Sequence, residues 1–353
     1  ADERGDYSAI EFRTLSGEVL PQIFSTSDLS RIGEEVKVYA QVPGYDLISD
    51  TISFTITDPS AMEDYEEITI PIVFHLIQSE GDIASYGGEI PQERINRLLE
   101  KMNNAFSGAV SHNATGIDTK IRFQAALYDP NGDKLNEPGI HRVYVNEVTD
   151  VNGDQYATFI AQQNAFWDYT KYLNVWLISD ASGEYRTFYK TISTQCIPRY
   201  VSEANDLQTA PQGLELSEMP ADWVAVPNEV GIVYKLQSTF LMVRAFGENE
   251  ENELTNCLGY YLGLLPTWSA NANSIPDDFC SDTHSYYGNT SQGINTSNEK
   301  RVGDYLFLSE NIMDDPSGVH RSVTLQQAQR MHWVLQHCPE RSCWKSDYAF
   351  TGE

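Results

Sequence analysis

The chain has 353 residues, 41% of them hydrophobic and 11% aromatic, enough to fill a sizeable core, which sets aside a chain disordered throughout and predicts one or two globular domains. Asp and Glu number 51 against 23 Lys and Arg, a formal charge of -28 that repels nucleic acid and anionic membrane surfaces, so neither is an expected partner. No apolar run is long enough to span a bilayer, and Ala1-Asp2-Glu3-Arg4 has neither the basic start nor the apolar stretch of a signal peptide, so any export signal is expected to have been removed.

Residues 1–65 read as a small, sandwich-like β domain. Val36, Val38, Ala40 and Val42 alternate with polar residues, Pro43-Gly44 turns the chain, and Ile52, Phe54 and Ile56 alternate again. The acidic stretch Met62-Glu63-Asp64-Tyr65-Glu66-Glu67 then leads into a second domain, 66–353, which opens with the apolar strand Ile68–Ile77. A helix follows Pro91 with Ile95, Leu98, Leu99, Met102 and Phe106 on one face. Ile121, Phe123, Ala125 and Leu127 alternate as a strand, a helix is expected around Tyr156 to Trp167, and Leu173–Ile178 and Gly231–Leu236 are further strands. Thr324-Leu325-Gln326-Gln327 is a capping-box start for a helix whose apolar side is Leu325, Ala328, Met331 and Leu335. The alternation of strands and helices predicts an α/β (α+β) domain behind the small all-β one.

Five cysteines suit an oxidising compartment, with Cys338–Cys343 and Cys196–Cys280 as the expected pairs and Cys257 left over; a fully reduced set is the alternative. Asp129-Pro130-Asn131-Gly132-Asp133 and Asp150-Val151-Asn152-Gly153-Asp154 are rich in oxygen ligands, but both lack the distal bidentate glutamate of an EF-hand and read as turns, which leaves calcium unsupported. Asn113, Asn289 and Asn295 each open an N-glycosylation pattern, which carries meaning only in a eukaryotic secretory pathway.

The segment richest in chemistry is Leu254-Thr255-Asn256-Cys257-Leu258-Gly259-Tyr260-Tyr261-Leu262-Gly263-Leu264-Leu265-Pro266-Thr267-Trp268. It resembles the metal helix of the metzincin zinc peptidases, H-E-x-x-H-x-x-G-x-x-H, in which two histidines one turn apart and a third beyond a glycine hold zinc while a glutamate handles the proton of the metal-bound water. The glycine is kept as Gly263, whereas Asn256, Tyr260 and Pro266 stand at the histidine positions and Cys257 at the glutamate. Ile70–His75 resembles the family's first core strand, Asp277–Thr283 its acidic cysteine segment, Asn311-Ile312-Met313-Asp314 its Met-turn, and Thr324, Gln327 and Arg330-Met331 the last helix of the pappalysin group. The resemblance spans about residues 68 to 337 in order, so the chain is similar to the pappalysin-type metzincins along its second domain.

That resemblance implies a mixed sheet with packed helices and, because every metal-binding and catalytic side chain is replaced, a homologue without zinc and without hydrolytic activity. Met313 is expected to pack beneath Tyr260. Side chains of the segment are expected either to be plain core or to line a former cleft, with Tyr260, Tyr261, Trp268 and Tyr234 facing a peptide or protein ligand. The edge strand Gly231–Leu236 is expected to hold an extended peptide by strand addition. Two alternatives are an active metallopeptidase with a rebuilt site, drawing on His284, Asp282 and Cys257, and a purely structural or adhesive surface protein. The cysteines and the same resemblance lead to the expectation of a protein outside the cytoplasm, secreted or a surface lipoprotein, and the acidic start at Ala1-Asp2-Glu3 to that of a lipid tether at a removed N-terminus.

Overall fold

The computed structural model describes residues 10–20, 29–45, 47–56, 58, 62–86, 88–111, 116–146, 155–179, 230–236, 248–269, 278–280, 282–287, 299–302, 305–315 and 318–353. Two compact units divide the chain, Ala1–Asp64 and Tyr65–Glu353.

The first unit holds one antiparallel sheet of order β2-β1-β3-β4, made of β1 (Glu11–Thr14), β2 (Val19–Leu20), β3 (Glu35–Gln41) and β4 (Ile52–Thr55). Alternation along β3 turns Val36 and Val38 inward, where they join Leu20 and Ile56 in a small apolar cluster backed by Phe12 and Ile52.

In the second unit the order is β5 (Ile68–Ser79), α1 (Glu80–Tyr86), α2 (Gln92–Phe106), β6 (Ile121–Ala125), β7 (Ile140–Val145), α3 (Gln155–Gln162), β8 (Leu173–Ser179), β9 (Gly231–Leu236) and α4 (Glu248–Tyr261). Four short strands follow, β10 (Trp268–Ser269), β11 (Tyr286–Tyr287), β12 (Glu299–Val302) and β13 (Tyr305–Leu308), then α5 (Leu325–His337) and α6 (Tyr348–Thr351). The main sheet has the order β6-β5-β8-β9, with β7 beside the second half of β5. Its centre is β5, buried along nearly its whole length, as a strand covered on both faces requires.

Among the described residues all of its pairings are parallel, β9 on β8 included, where a mixed sheet was expected. The connections explain this: α1 and α2 lie between β5 and β6, and α3 between β7 and β8, and such crossovers return the chain in its original direction.

Helix α2 buries Ile95, Leu98, Met102, Ala105 and Phe106 at helical spacing. It also closes an edge of the sheet, because the Asn103 amide donates to the Phe123 carbonyl at 2.8 Å and its oxygen accepts the Phe123 N–H at 2.8 Å. Helix α3 stops short of the expected Trp167: Asn164 takes a φ of 52°, which ends the helix, and Trp167 becomes part of the core with Val73, Ala126, Tyr172 and Ala349.

Past α5 the chain makes tight turns at Pro339–Arg341 and Cys343–Lys345, and α6 then packs on the segment after β6, where the Ala349 carbonyl accepts the N–H groups of Leu127 and Tyr128 at 2.7 and 3.1 Å. These turns overturn the expected Cys338–Cys343 disulfide. Cys338 packs with Val334 and Trp333, Cys343 lies 4.0 Å from the Tyr261 hydroxyl, and both are buried free thiols. Burial pushes them up to about 12 and about 11, which leaves them unreactive. Cys196 lies outside the described residues, and with it the expected Cys196–Cys280 pair; so do Asn113, Asn289, Asn295 and the 150–154 turn.

Candidate functional site

Helix α4 ends by a Schellman motif. Gly263, at a φ of 85°, donates to the Tyr260 carbonyl at 2.9 Å, and Leu264 donates to the Gly259 carbonyl at 2.9 Å. Two buried arginines complete this C-terminus, Arg330 donating to the Gly263 carbonyl at 2.7 Å and Arg341 to the Tyr261 carbonyl at 2.6 Å. The Arg341 guanidinium also stacks on the Tyr261 ring at 3.9 Å.

Below the helix lies the Asn311–Asp314 turn, held from three directions. Asn311 and Gln327 exchange amide hydrogen bonds at 2.7 and 3.0 Å, and Asn311 also accepts the Met313 N–H at 2.9 Å. Asp314 accepts the Asn311 N–H at 3.1 Å and the Thr267 hydroxyl at 2.7 Å. The Gln327 that grips Asn311 is also the third residue of the capping box of α5.

One stripe of α4 faces this turn. Asn252 donates to the Gly318 carbonyl at 2.6 Å, Asn256 donates to the Ile312 carbonyl at 2.8 Å with Met313 Sδ 3.9 Å away, and Gly259 leaves room for Met313 Sδ where any Cβ would collide with it. Residues 252, 256 and 259 are four and three apart, so they line one face at the helical period. Met313 thus packs against Gly259 and Asn256.

The opposite stripe, with Leu254, Leu258 and Tyr261, is fully buried. Of the two readings expected for Tyr261, core or ligand-facing, its burial fits the first, its ring against Arg341 and its hydroxyl raised well above the ordinary phenol value chiefly by burial. Tyr260 and Trp268 keep only 5% and 8% exposure, and Cys257 is buried as well. Pro266 lies just past the helix, half-buried. Tyr234 pairs in register with Leu177, and its side chain falls outside the described atoms.

Tested against a zinc ion, this donor set does not fit. The Asn256 amide nitrogen faces a carbonyl, so it must be the donor end of the group, Tyr260 is a phenol, and Pro266 has no side-chain ligand atom. Cys257 sits one residue from Asn256, about 100° further round the helix. Among the described residues no three His, Cys, Asp or Glu side chains converge as a metal site. The rebuilt site from His284, Asp282 and Cys257 meets a specific obstacle, because Asp282 accepts the Thr324 hydroxyl at 2.8 Å with one oxygen and the Gln326 N–H at 2.9 Å with the other. Asp278 is engaged locally by Cys280 N–H and the Thr283 hydroxyl.

The described histidines are likewise tied into the structure. His332 donates to the Thr119 carbonyl at 2.7 Å, His337 stacks on Trp333 at 4.4 Å, and His320 lies between the carbonyls of Asn252 and Asp315 at 2.9 and 3.1 Å. Sequence reasoning missed Asn252, Gly259 and His320, although a small-and-amide stripe at 252, 256 and 259 on an otherwise apolar helix was there to be read.

A parallel α/β sheet with a buried helix seated on a hydrogen-bonded methionine turn defines the class of this unit. Among solved structures, the fold shows a likeness to mature mirolysin of Tannerella forsythia in complex with a cleaved peptide, at 18% identity and a TM-score of 0.47 over 81% of this chain and 97% of that one. Mirolysin in complex with compound 9 gives 18% identity and 0.46 over 80% and 97%, and promirolysin of Tannerella forsythia 18% and 0.46 over 81% and 86%. No family model matches the sequence, and no curated protein does.

Proposed function

We propose that this protein is a pseudo-peptidase, a homologue of pappalysin-type zinc peptidases that binds an extended peptide or protein segment outside the cytoplasm without cutting it. The observation that carries the reading is the Asn256 side chain, whose N–H is committed to the Ile312 carbonyl in the place where the family resemblance calls for a metal-binding imidazole. Cys257, Tyr260 and Pro266 reinforce it, since none supplies the proton-transfer carboxylate or the imidazoles that hydrolysis at a metal needs.

The binding half of the proposal rests on β9. Among the described residues this strand pairs with β8 alone, and its other edge is the one proposed to offer main-chain donors and acceptors to a partner strand. Tyr260 and Trp268 retain too little exposure to supply much contact area, which moves the expected ligand contacts from side chains toward backbone. Export as a secreted or lipid-tethered surface protein is part of the same proposal.

Titrating the purified protein with a reduced, alkylated unfolded protein tests both halves at once. Saturable binding with the substrate recovered intact supports the proposal. Intact substrate with no binding favours a structural or adhesive role, and cleavage that stops on adding a chelator restores the peptidase reading.

A further inference from the structure

Strand β5 carries one imidazole in an otherwise apolar run, and its surroundings fix where every proton lies. Asn174 on β8 donates its amide to the carbonyls of Trp167 and Tyr172 at 3.1 and 3.4 Å, which turns its oxygen toward His75 Nε2 at 2.8 Å. An amide oxygen only accepts, so His75 carries its proton on Nε2 and leaves Nδ1 bare. His75 Nδ1 lies 2.9 Å from His141 Nδ1 on β7, so His141 must be the donor there. The two rings sit directly opposite in register, and His75 is walled by Trp167 and Trp176 at 5.1 and 5.7 Å.

This chain of bonds accepts one proton without damage and not two. A first proton goes to His141 Nε2, the ring nitrogen not engaged with His75: burial lowers His141, the carboxylate of Asp129 works in the opposite sense, and the bond to His75 is kept. A second must go to His75 Nδ1, after which two N–H groups and two cationic rings face each other at the contact that joins β5 to β7.

We infer that the His75–His141 contact is an acid-labile joint, at which β7 parts from β5 before the rest of the sheet opens. Strand β7 is the one free to leave, since among the described residues it pairs with β5 alone. Among the described residues, the titratable groups facing the pair are Asp129, from the turn beyond β6, and the two rings themselves. Burial foremost, and the neighbouring His141 second, pull His75 down to about 3 while the joint is closed, whereas a ring released to water takes up its proton at the ordinary histidine value. Acid therefore draws the joint open rather than shut.

The test is backbone amide exchange with imidazole nitrogen spectra, run between about pH 7 and about pH 4, where opening linked to one proton grows about tenfold per pH unit. The expected result is loss of protection at Ile140–Val145 ahead of Leu173–Ser179, with His75 protonated on Nε2 and His141 on Nδ1 at neutral pH. A His75→Gln variant, which cannot titrate, should lose the early phase. Early opening of β7 that persists in that variant, or the opposite tautomer in the native protein, overturns the inference; the spectra decide it even if the variant fails to fold.

Discussion

Asn256 donates its side-chain amide to the main-chain carbonyl of Ile312 at 2.8 Å, joining the middle of α4 to the turn beneath it across 56 residues of sequence. A metal-binding position and a structural tether place different demands on one side chain, and this one meets the second.

Asn256→Ala removes the donor and leaves a buried carbonyl with one partner fewer, for an expected loss of about 1–3 kcal/mol in denaturant unfolding. Asn256→Leu should cost at least as much, since it fills the space without restoring the bond. Unchanged midpoints in both variants would remove the tether from the account.

Gly259→Ala drives a methyl group into Met313, and the expected cost is about 1–3 kcal/mol. Combining it with Met313→Ala should recover part of that loss, because the smaller side chain relieves the collision. A double-mutant cycle with no coupling between the two positions would contradict the packing described.

The first turn of α5 offers a third check. Thr324 caps the helix and also donates its hydroxyl to Asp282 at 2.8 Å. Thr324→Ala should lower stability by about 1 kcal/mol from the cap alone. Thr324→Ser keeps both bonds and should stay close to the native protein.

Acid stability follows from histidines buried in neutral form. Burial pulls His75 down to about 3 and is foremost among the causes that lower His332, against an ordinary histidine value of 6.5. Below 6.5 the unfolded chain takes up protons that the folded one refuses, so stability is complete above that value and is lost as pH falls toward the folded-state values. For His75 the expected slope is about 1.4 kcal/mol per pH unit within this window. Denaturant midpoints measured across it should fall steadily in the native protein and less steeply in His75→Gln.

What the sequence made legible were elements whose period is their cause. The largely apolar run of β5 pointed to a strand, the spacing of Ile95, Leu98 and Met102 to α2, and Thr324 with Gln327 to the start of α5. The direction of β9 was not legible, because strand direction depends on the path of the connection and not on side-chain alternation. Nor was the fate of Tyr261, since a buried tyrosine and a ligand-facing one share a composition and differ only in whether a residue such as Arg341, 80 positions later, covers the ring. At the positions that the resemblance matches to metal ligands, the residue types Asn256, Tyr260 and Pro266 could be read directly, while the bond that Asn256 makes needed the partner at Ile312.

The most direct test of the central claim is elemental analysis of the purified protein for zinc, paired with cleavage of an unfolded protein before and after chelation. Zinc far below one equivalent and no cleavage in either sample are the expected results. One tightly held equivalent of zinc, with proteolysis abolished by the chelator, would contradict that claim.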